Sequence, residues 1–195
     1  EFSNPHQANA LIRPKDLVVA VNGGTRHALC MGAIPHAIIG DLDNDSNNEL
    51  VIGWKQDQHI NLGTILGYQV GEEVEKKYTF AYEDKDLDLA YFEKMMVIAD
   101  ADNDGLNELL VSTRGDNLSE FIESEHMGHL FMWSVNNNDI ERELLLDFHE
   151  GLASSFWIDV GDADNDGFNE VILATGEGDR TLKGNSYVVM IKYRR

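Results

Sequence analysis

Carboxylates gather in three nine-residue stretches: DLDNDSNNE at 41–49, DADNDGLNE at 100–108 and DADNDGFNE at 162–170. In each, Asp holds positions 1, 3 and 5 and Glu holds position 9. The sets are Asp41, Asp43, Asp45 and Glu49; Asp100, Asp102, Asp104 and Glu108; and Asp162, Asp164, Asp166 and Glu170. Alternate residues of so short a loop converge only if the backbone winds tightly around one point. Carboxylates converging there repel unless a cation joins them, and a hard ion taking about six to eight oxygens at roughly 2.3–2.6 Å suits the pattern. Position 7 (Asn47, Leu106, Phe168) has no shared side chain, so its backbone carbonyl is the expected ligand. Gly105 and Gly167 at position 6 suit a positive φ, whereas Ser46 adopts one at greater cost. The first loop is therefore expected to be the weakest site.

Calcium fits better than magnesium, because a flexible loop offers many charged and carbonyl oxygens and magnesium prefers a rigid octahedron that keeps several waters. Zinc is disfavoured, since no His or Cys joins the clusters. An EF-hand would end its twelve-residue loop in a bidentate Glu. Position 12 is instead Ile52, Val111 and Leu173. Three calcium ions would add +6 to a formal net charge of -20, giving -14.

The elements that position these loops recur with them. The first Asp residues, 41, 100 and 162, imply a repeat of about 60 residues. Each loop lies between two short apolar runs: HAII and LVIG, MMVI and LLVS, FWIDV and VILA. Such Val- and Ile-rich runs bounded by turn residues read as strands. A third run follows at 64–70, 128–135 and 185–191, and a fourth at 74–82 and 140–148. Four antiparallel strands per repeat make a propeller blade, so the fold class is an all-β β-propeller. The organisation reads as an N-terminal extension 1–15 and a propeller segment 16–195. That segment divides into a partial blade 16–35, blades 36–93 and 94–154, and an incomplete blade 155–195. Strands are expected at 16–21 and 26–32, as the end of a preceding blade or as a strand that closes a ring. Propellers typically have about four to eight blades, so the chain reads as part of a larger propeller or one completed by association.

The composition agrees with a soluble acidic domain: 195 residues, 43% hydrophobic, with 15 basic against 35 acidic side chains. That charge repels nucleic-acid phosphates, and no run approaches the roughly 20 apolar residues of a membrane-spanning helix. A lone Cys30 closes no internal disulfide and reads as a small buried residue.

The repeat resembles the FG-GAP/VCBS repeat of integrin-alpha-type β-propellers, through D-x-D-x-D-G-x-x-E between two apolar strands at a 60-residue period, over about 16–195. That family usually carries Asp at position 9, where all three loops here carry Glu. The resemblance implies one structural calcium per loop. It also implies mostly extracellular or cell-surface proteins, secreted or adhesive, that bind proteins or glycans.

In an antiparallel blade the acidic loops, all between the first and second strands, share one end. The other end would carry 54–63, 113–127, 175–185, 83–93 and 149–155, the longest loops, where a partner site is expected. Arg114-Gly115-Asp116 lies there and reads first as a strand-end turn. Trp54 would open one of these loops and could stack on a sugar, while Trp133 and Trp157 fall within strands. The seven His residues show no metal spacing. No catalytic or cofactor-binding fingerprint (G-x-S-x-G, P-loop, G-x-G-x-x-G) appears.

Two further readings stay open at this point. A polysaccharide lyase-like enzyme would need an acid, a base and an anion-neutralising group on the loop end. Asp57, His59, Asp116, His126, Asp179, Arg180 and Lys183 are available for it, with His149 near the same end. An intracellular FG-GAP scaffold is the other, since PHAIIGDLDND followed by NELVIG is similar to the opening blade of integrin alpha FG-GAP repeat-containing proteins of cytosolic complexes.

Overall fold

A computed structural model describes residues 19–21, 37–57, 60–71, 73–84, 95–113, 129–147, 154–176 and 186–193. All described elements are strands, and no described helix is long and apolar enough to cross a membrane. They form three sheets. The first has the order β1 (Val19–Val21), β2 (Ala37–Gly40), β3 (Glu49–Asp57), β4 (Ile60–Val70), β5 (Val74–Asp84). The second runs β6 (Met95–Ala99), β7 (Glu108–Ser112), β8 (His129–Asn136), β9 (Asp139–Asp147); the third runs β10 (Ser154–Gly161), β11 (Glu170–Gly176), β12 (Ser186–Ile191). From β2 onward each strand pairs antiparallel with its sequence neighbour within its sheet, as a propeller blade requires.

The blades pack face to face. The first core joins Val51, Ile65, Tyr78 and Phe80 of the first blade to Met96, Leu109, Val111, Phe131 and Trp133 of the second. The second joins Leu110, Leu130 and Met132 to Ile158, Val171 and Leu173 of the third. Side chains alternate across a strand, so Leu109 and Leu110 enter opposite cores. With a neighbour on each side, every residue of β7 is buried. Each large apolar side chain so buried contributes about 1.5–3 kcal/mol. Glycine permits the close approach of the first pair of blades. A Cβ on Gly40 would meet Ile98 at 3.2 Å, and one on Gly53 would meet Met96 Sδ at 3.2 Å.

Two expectations change. The 54–63 segment is not a loop: β3 runs to Asp57, β4 starts at Ile60, and Trp54 pairs with Thr64 inside the hairpin. Backbone pairing with Gly63 and Thr64 carries the ladder past the apolar run that marked the strand. Within the strand expected at 16–21, β1 lies at the edge of the first sheet, parallel to β2, with Val19 opposite Ala37. The free edge of β2 makes this possible. Finally, β5, β10 and β11 extend into predicted loop residues, through Glu83 and Asp84, Ser154 and Ser155, and Thr175 and Gly176. Residues 26–32, Arg114-Gly115-Asp116 and the bulk of the other loops at that end lie outside the described residues, as do His59, His126, His149, Asp179, Arg180 and Lys183.

Candidate metal centres

Each acidic loop joins the first strand of a blade to its second: β2 to β3, β6 to β7, and β10 to β11. Two left-handed residues wind it. Position 4 is Asn44 (φ 57), Asn103 (φ 65) and Asn165 (φ 59), and position 6 is Ser46 (φ 70), Gly105 (φ 89) and Gly167 (φ 91). Asn tolerates this region better than other residues with a Cβ, and Gly better still. The positive φ expected of position 6 is present in all three loops, with Ser46 strained by it.

The loops bring their carboxylates together as the spacing suggests. One oxygen each from Asp41, Asp43 and Asp45 lie within 4.8 Å of one another, as do those of Asp100, Asp102 and Glu108 and those of Asp162, Asp164 and Glu170. Glu49, Asp104 and Asp166 stand outside these trios.

The hydrogen bonds explain how repelling groups are held together. Position-1 carboxylates accept the position-6 N–H: Ser46 to Asp41, Gly105 to Asp100 and Gly167 to Asp162, at 3.0–3.2 Å. Position-3 carboxylates accept the position-5 N–H, at 3.3, 3.1 and 3.2 Å. Position-5 carboxylates accept the position-7 N–H from Asn47, Leu106 and Phe168, at 2.8, 2.8 and 3.0 Å. The position-9 Glu reaches back seven residues to accept the N–H of Leu42, Ala101 or Ala163 through Oε2, at 2.9 Å each time. The longer arm of Glu suits this closure.

One oxygen of many of these carboxylates thus holds the loop, leaving the other for the centre. Oδ1 of Asp41 and of Asp100, and Oε1 of Glu49 and of Glu170, are buried and accept no hydrogen bond among the described residues. Buried carboxylate oxygens that accept no hydrogen bond fit a divalent cation, since burial of such charge is otherwise costly, even where, as at Glu49 and Glu170, a lysine ammonium stands 3.5 Å away. The all-oxygen donor set is the chemistry calcium takes. Glu108 shows the electrostatic cost most clearly. Burial, with added repulsion from Asp102, Asp104 and Asp100, pushes its carboxyl up to about 7. Burial likewise raises Glu49, whereas the N–H of Asn47 lowers Asp45.

Several participants carried no sequence signal of their own. Lys77 on β5 forms ion pairs with Asp43, with Asp45 at 3.2 Å and with Glu49 at 3.5 Å. Its neighbour Tyr78 donates its hydroxyl to Asp43. Lys192, just past β12, reaches Asp164, Asp166 and Glu170 at 2.5, 2.9 and 3.5 Å. Pairing of Val171 with Ile191 places Lys192 opposite Glu170, a register that a sequence read without strand pairing does not supply.

Asn also links one loop to the next. At position 8, Asn107 donates its side-chain amide to the carbonyl of Asp41 at 2.7 Å, and Asn169 donates to that of Asp100 at 2.8 Å. Asn103 at position 4 donates its side-chain Nδ2–H to the carbonyl of Asn169 and accepts the Asn169 N–H through its Oδ1. Neighbouring centres therefore share one end of the stack, as the strand order implied. The recurrence of Asn at positions 4 and 8 in all three copies was the available signal.

No family model matches the chain. Among curated proteins it is similar to integrin alpha-4 of Xenopus laevis, 29% identical over 164 aligned residues. The match takes in 66% of this chain and 15% of that protein, so the chain spans a small part of its relative's length.

Proposed function

We propose that the chain is a calcium-stabilised segment of a β-propeller that serves as a protein- or glycan-binding module outside the cell. Asp41, Asp43, Asp45 and Glu49, with their counterparts Asp100, Asp102, Asp104 and Glu108 and Asp162, Asp164, Asp166 and Glu170, would hold three structural ions. The carbonyls of Asn47, Leu106 and Phe168 would complete them. The partner would bind at the other end of the blades, leaving the acidic end a purely structural role. One observation carries the reading: loop N–H groups fix one carboxylate oxygen after another, while buried oxygens beside them accept no hydrogen bond among the described residues. Distant similarity to an integrin alpha chain supports binding of a protein partner and the extracellular setting.

Calcium titration by calorimetry, paired with thermal unfolding in EDTA, tests this. An ion that binds only the folded state adds RT ln(1 + [L]/Kd), about 2.7 kcal/mol per site at a hundredfold excess over Kd. Unfolding in EDTA is therefore expected several degrees below that in millimolar calcium. An unchanged midpoint would refute bound calcium. Dissociation constants of about 10⁻⁴–10⁻³ M match an extracellular module, whereas sub-micromolar values would move the assignment to the cytosol.

A further inference from the structure

The first and third loops already hold a cation of their own. Lys192 Nζ sits 2.5 Å from Asp164 Oδ2, 2.9 Å from Asp166 Oδ2 and 3.5 Å from Glu170 Oε1, the oxygens of positions 3, 5 and 9 that the loop N–H groups leave over. Lys77 contacts the matching three oxygens of Asp43, Asp45 and Glu49. The two lysines arrive by different routes, Lys77 from the fourth strand of its blade and Lys192 from the end of the third. Convergence of separate strands on one triad points to a demand for positive charge at that spot. Glu49 and Glu170 make the demand plain. Both are fully buried, and among the described residues their Oε1 atoms accept no hydrogen bond while an ammonium stands 3.5 Å away.

We propose that the ammonium groups of Lys77 and Lys192 are resident counter-cations of the first and third loops, which calcium must displace, so that these lysines set the calcium affinity of their own loops. The inference rests on the calcium reading above and adds a built-in competitor to it. A calcium ion about 2.3–2.6 Å from the position 3, 5 and 9 oxygens needs the volume the ammonium fills, and like charges at that separation repel. Both side chains can swing away: Lys77 is 19% and Lys192 39% exposed. In the second blade Trp133 pairs with Leu109, which puts Ser134 at the register position Lys192 holds in the third.

Calcium titration of the full chain and of Lys77→Met and Lys192→Met variants tests the proposal, with thermal unfolding in EDTA as a second readout. Methionine keeps the length and the apolar stem without the charge. Each variant is expected to bind calcium at least tenfold more tightly at one site, leaving the others unchanged, and to unfold at lower temperature in EDTA. Should Lys77→Met not fold without calcium, it is prepared in calcium and read by graded chelator competition; Lys192→Met, in the more exposed loop, gives an independent reading. Affinities equal to wild type in both variants would overturn the competitor role and leave the calcium reading standing. No calcium binding by wild type or either variant would overturn both.

Discussion

The second and third acidic loops match at every position but one, Leu106 against Phe168, and yet their surroundings differ. The second lies on a blade covered on both sides; Asp102 and Glu108 are 2% exposed. On the third loop residues 162–168 are exposed, and the side chain of Asp164 keeps 40% of its surface. The motif therefore specifies a loop shape, while the neighbouring blades decide what its charges experience. Crowded carboxylates cost more in the second loop, where burial drives Glu108 toward its protonated form. In the third, water and Lys192 absorb the same charge.

The largest expected effect follows from that contrast. In millimolar calcium, Asp102→Ala removes an ion and leaves buried carboxylates without it, which costs about 3–5 kcal/mol. Asp164→Ala also empties a loop, but one that water reaches, and about 1–2 kcal/mol is expected. At roughly 2–4 °C per kcal/mol for a chain of this size, thermal unfolding separates the two variants easily. Equal losses would mean that burial in the stack does not distinguish the loops.

A pH series in EDTA sharpens the comparison further. Glu108 at about 7 lies above its ordinary 4.5, so the folded state binds a proton that the unfolded state releases. Its favourable contribution is complete below pH 4.5 and is lost as pH rises through 7, with a slope of at most ~1.4 kcal/mol per pH unit. Calcium-free protein should therefore lose stability between pH 5 and 7, and Glu108→Gln should flatten that part of the curve. Calcium stabilises the charged carboxylate, so its binding near pH 6 should release protons, seen as a buffer-dependent heat. A Glu108→Gln profile parallel to wild type would place the cost elsewhere.

How far these differences could be read in advance depends on which information is local. The three loops and the strands beside them were legible, because a period-2 apolar run and a fixed Asp spacing are properties of neighbouring residues. Even the strain at Ser46 could be read from a single substitution. The reach of β3 past Trp54 was not legible, since its pairing with Thr64 depends on the partner strand rather than on the polar residues at 55–57. Nor were Lys77 and Lys192, which stand 32 and 28 residues from the carboxylates they meet and are placed by strand register. The Asn107 and Asn169 bridges cross from blade to blade, so they too needed the assembled stack.

The smallest effect is also the cleanest, because it isolates backbone conformation. Ser46 holds φ 70 where the other loops place Gly105 and Gly167 at φ 89 and 91. Among the described residues a Cβ on either glycine would meet nothing within 4 Å, so a side chain at position 6 costs conformational energy rather than packing. The left-handed region is unfavourable for Ser by roughly 1 kcal/mol. Glycine gives part of that back through the greater freedom of its unfolded chain, roughly 0.5–1 kcal/mol. Ser46→Gly should therefore stabilise by a few tenths of a kcal/mol, and Gly167→Ser should destabilise by a similar amount. Both shifts fall within about 2 °C, and the two substitutions should cancel when combined, since the loops lie on separate blades. If Ser46→Gly instead destabilises the protein, position 6 of the first loop is held by its hydroxyl rather than strained by its Cβ, and the weakness assigned to that loop loses its physical cause.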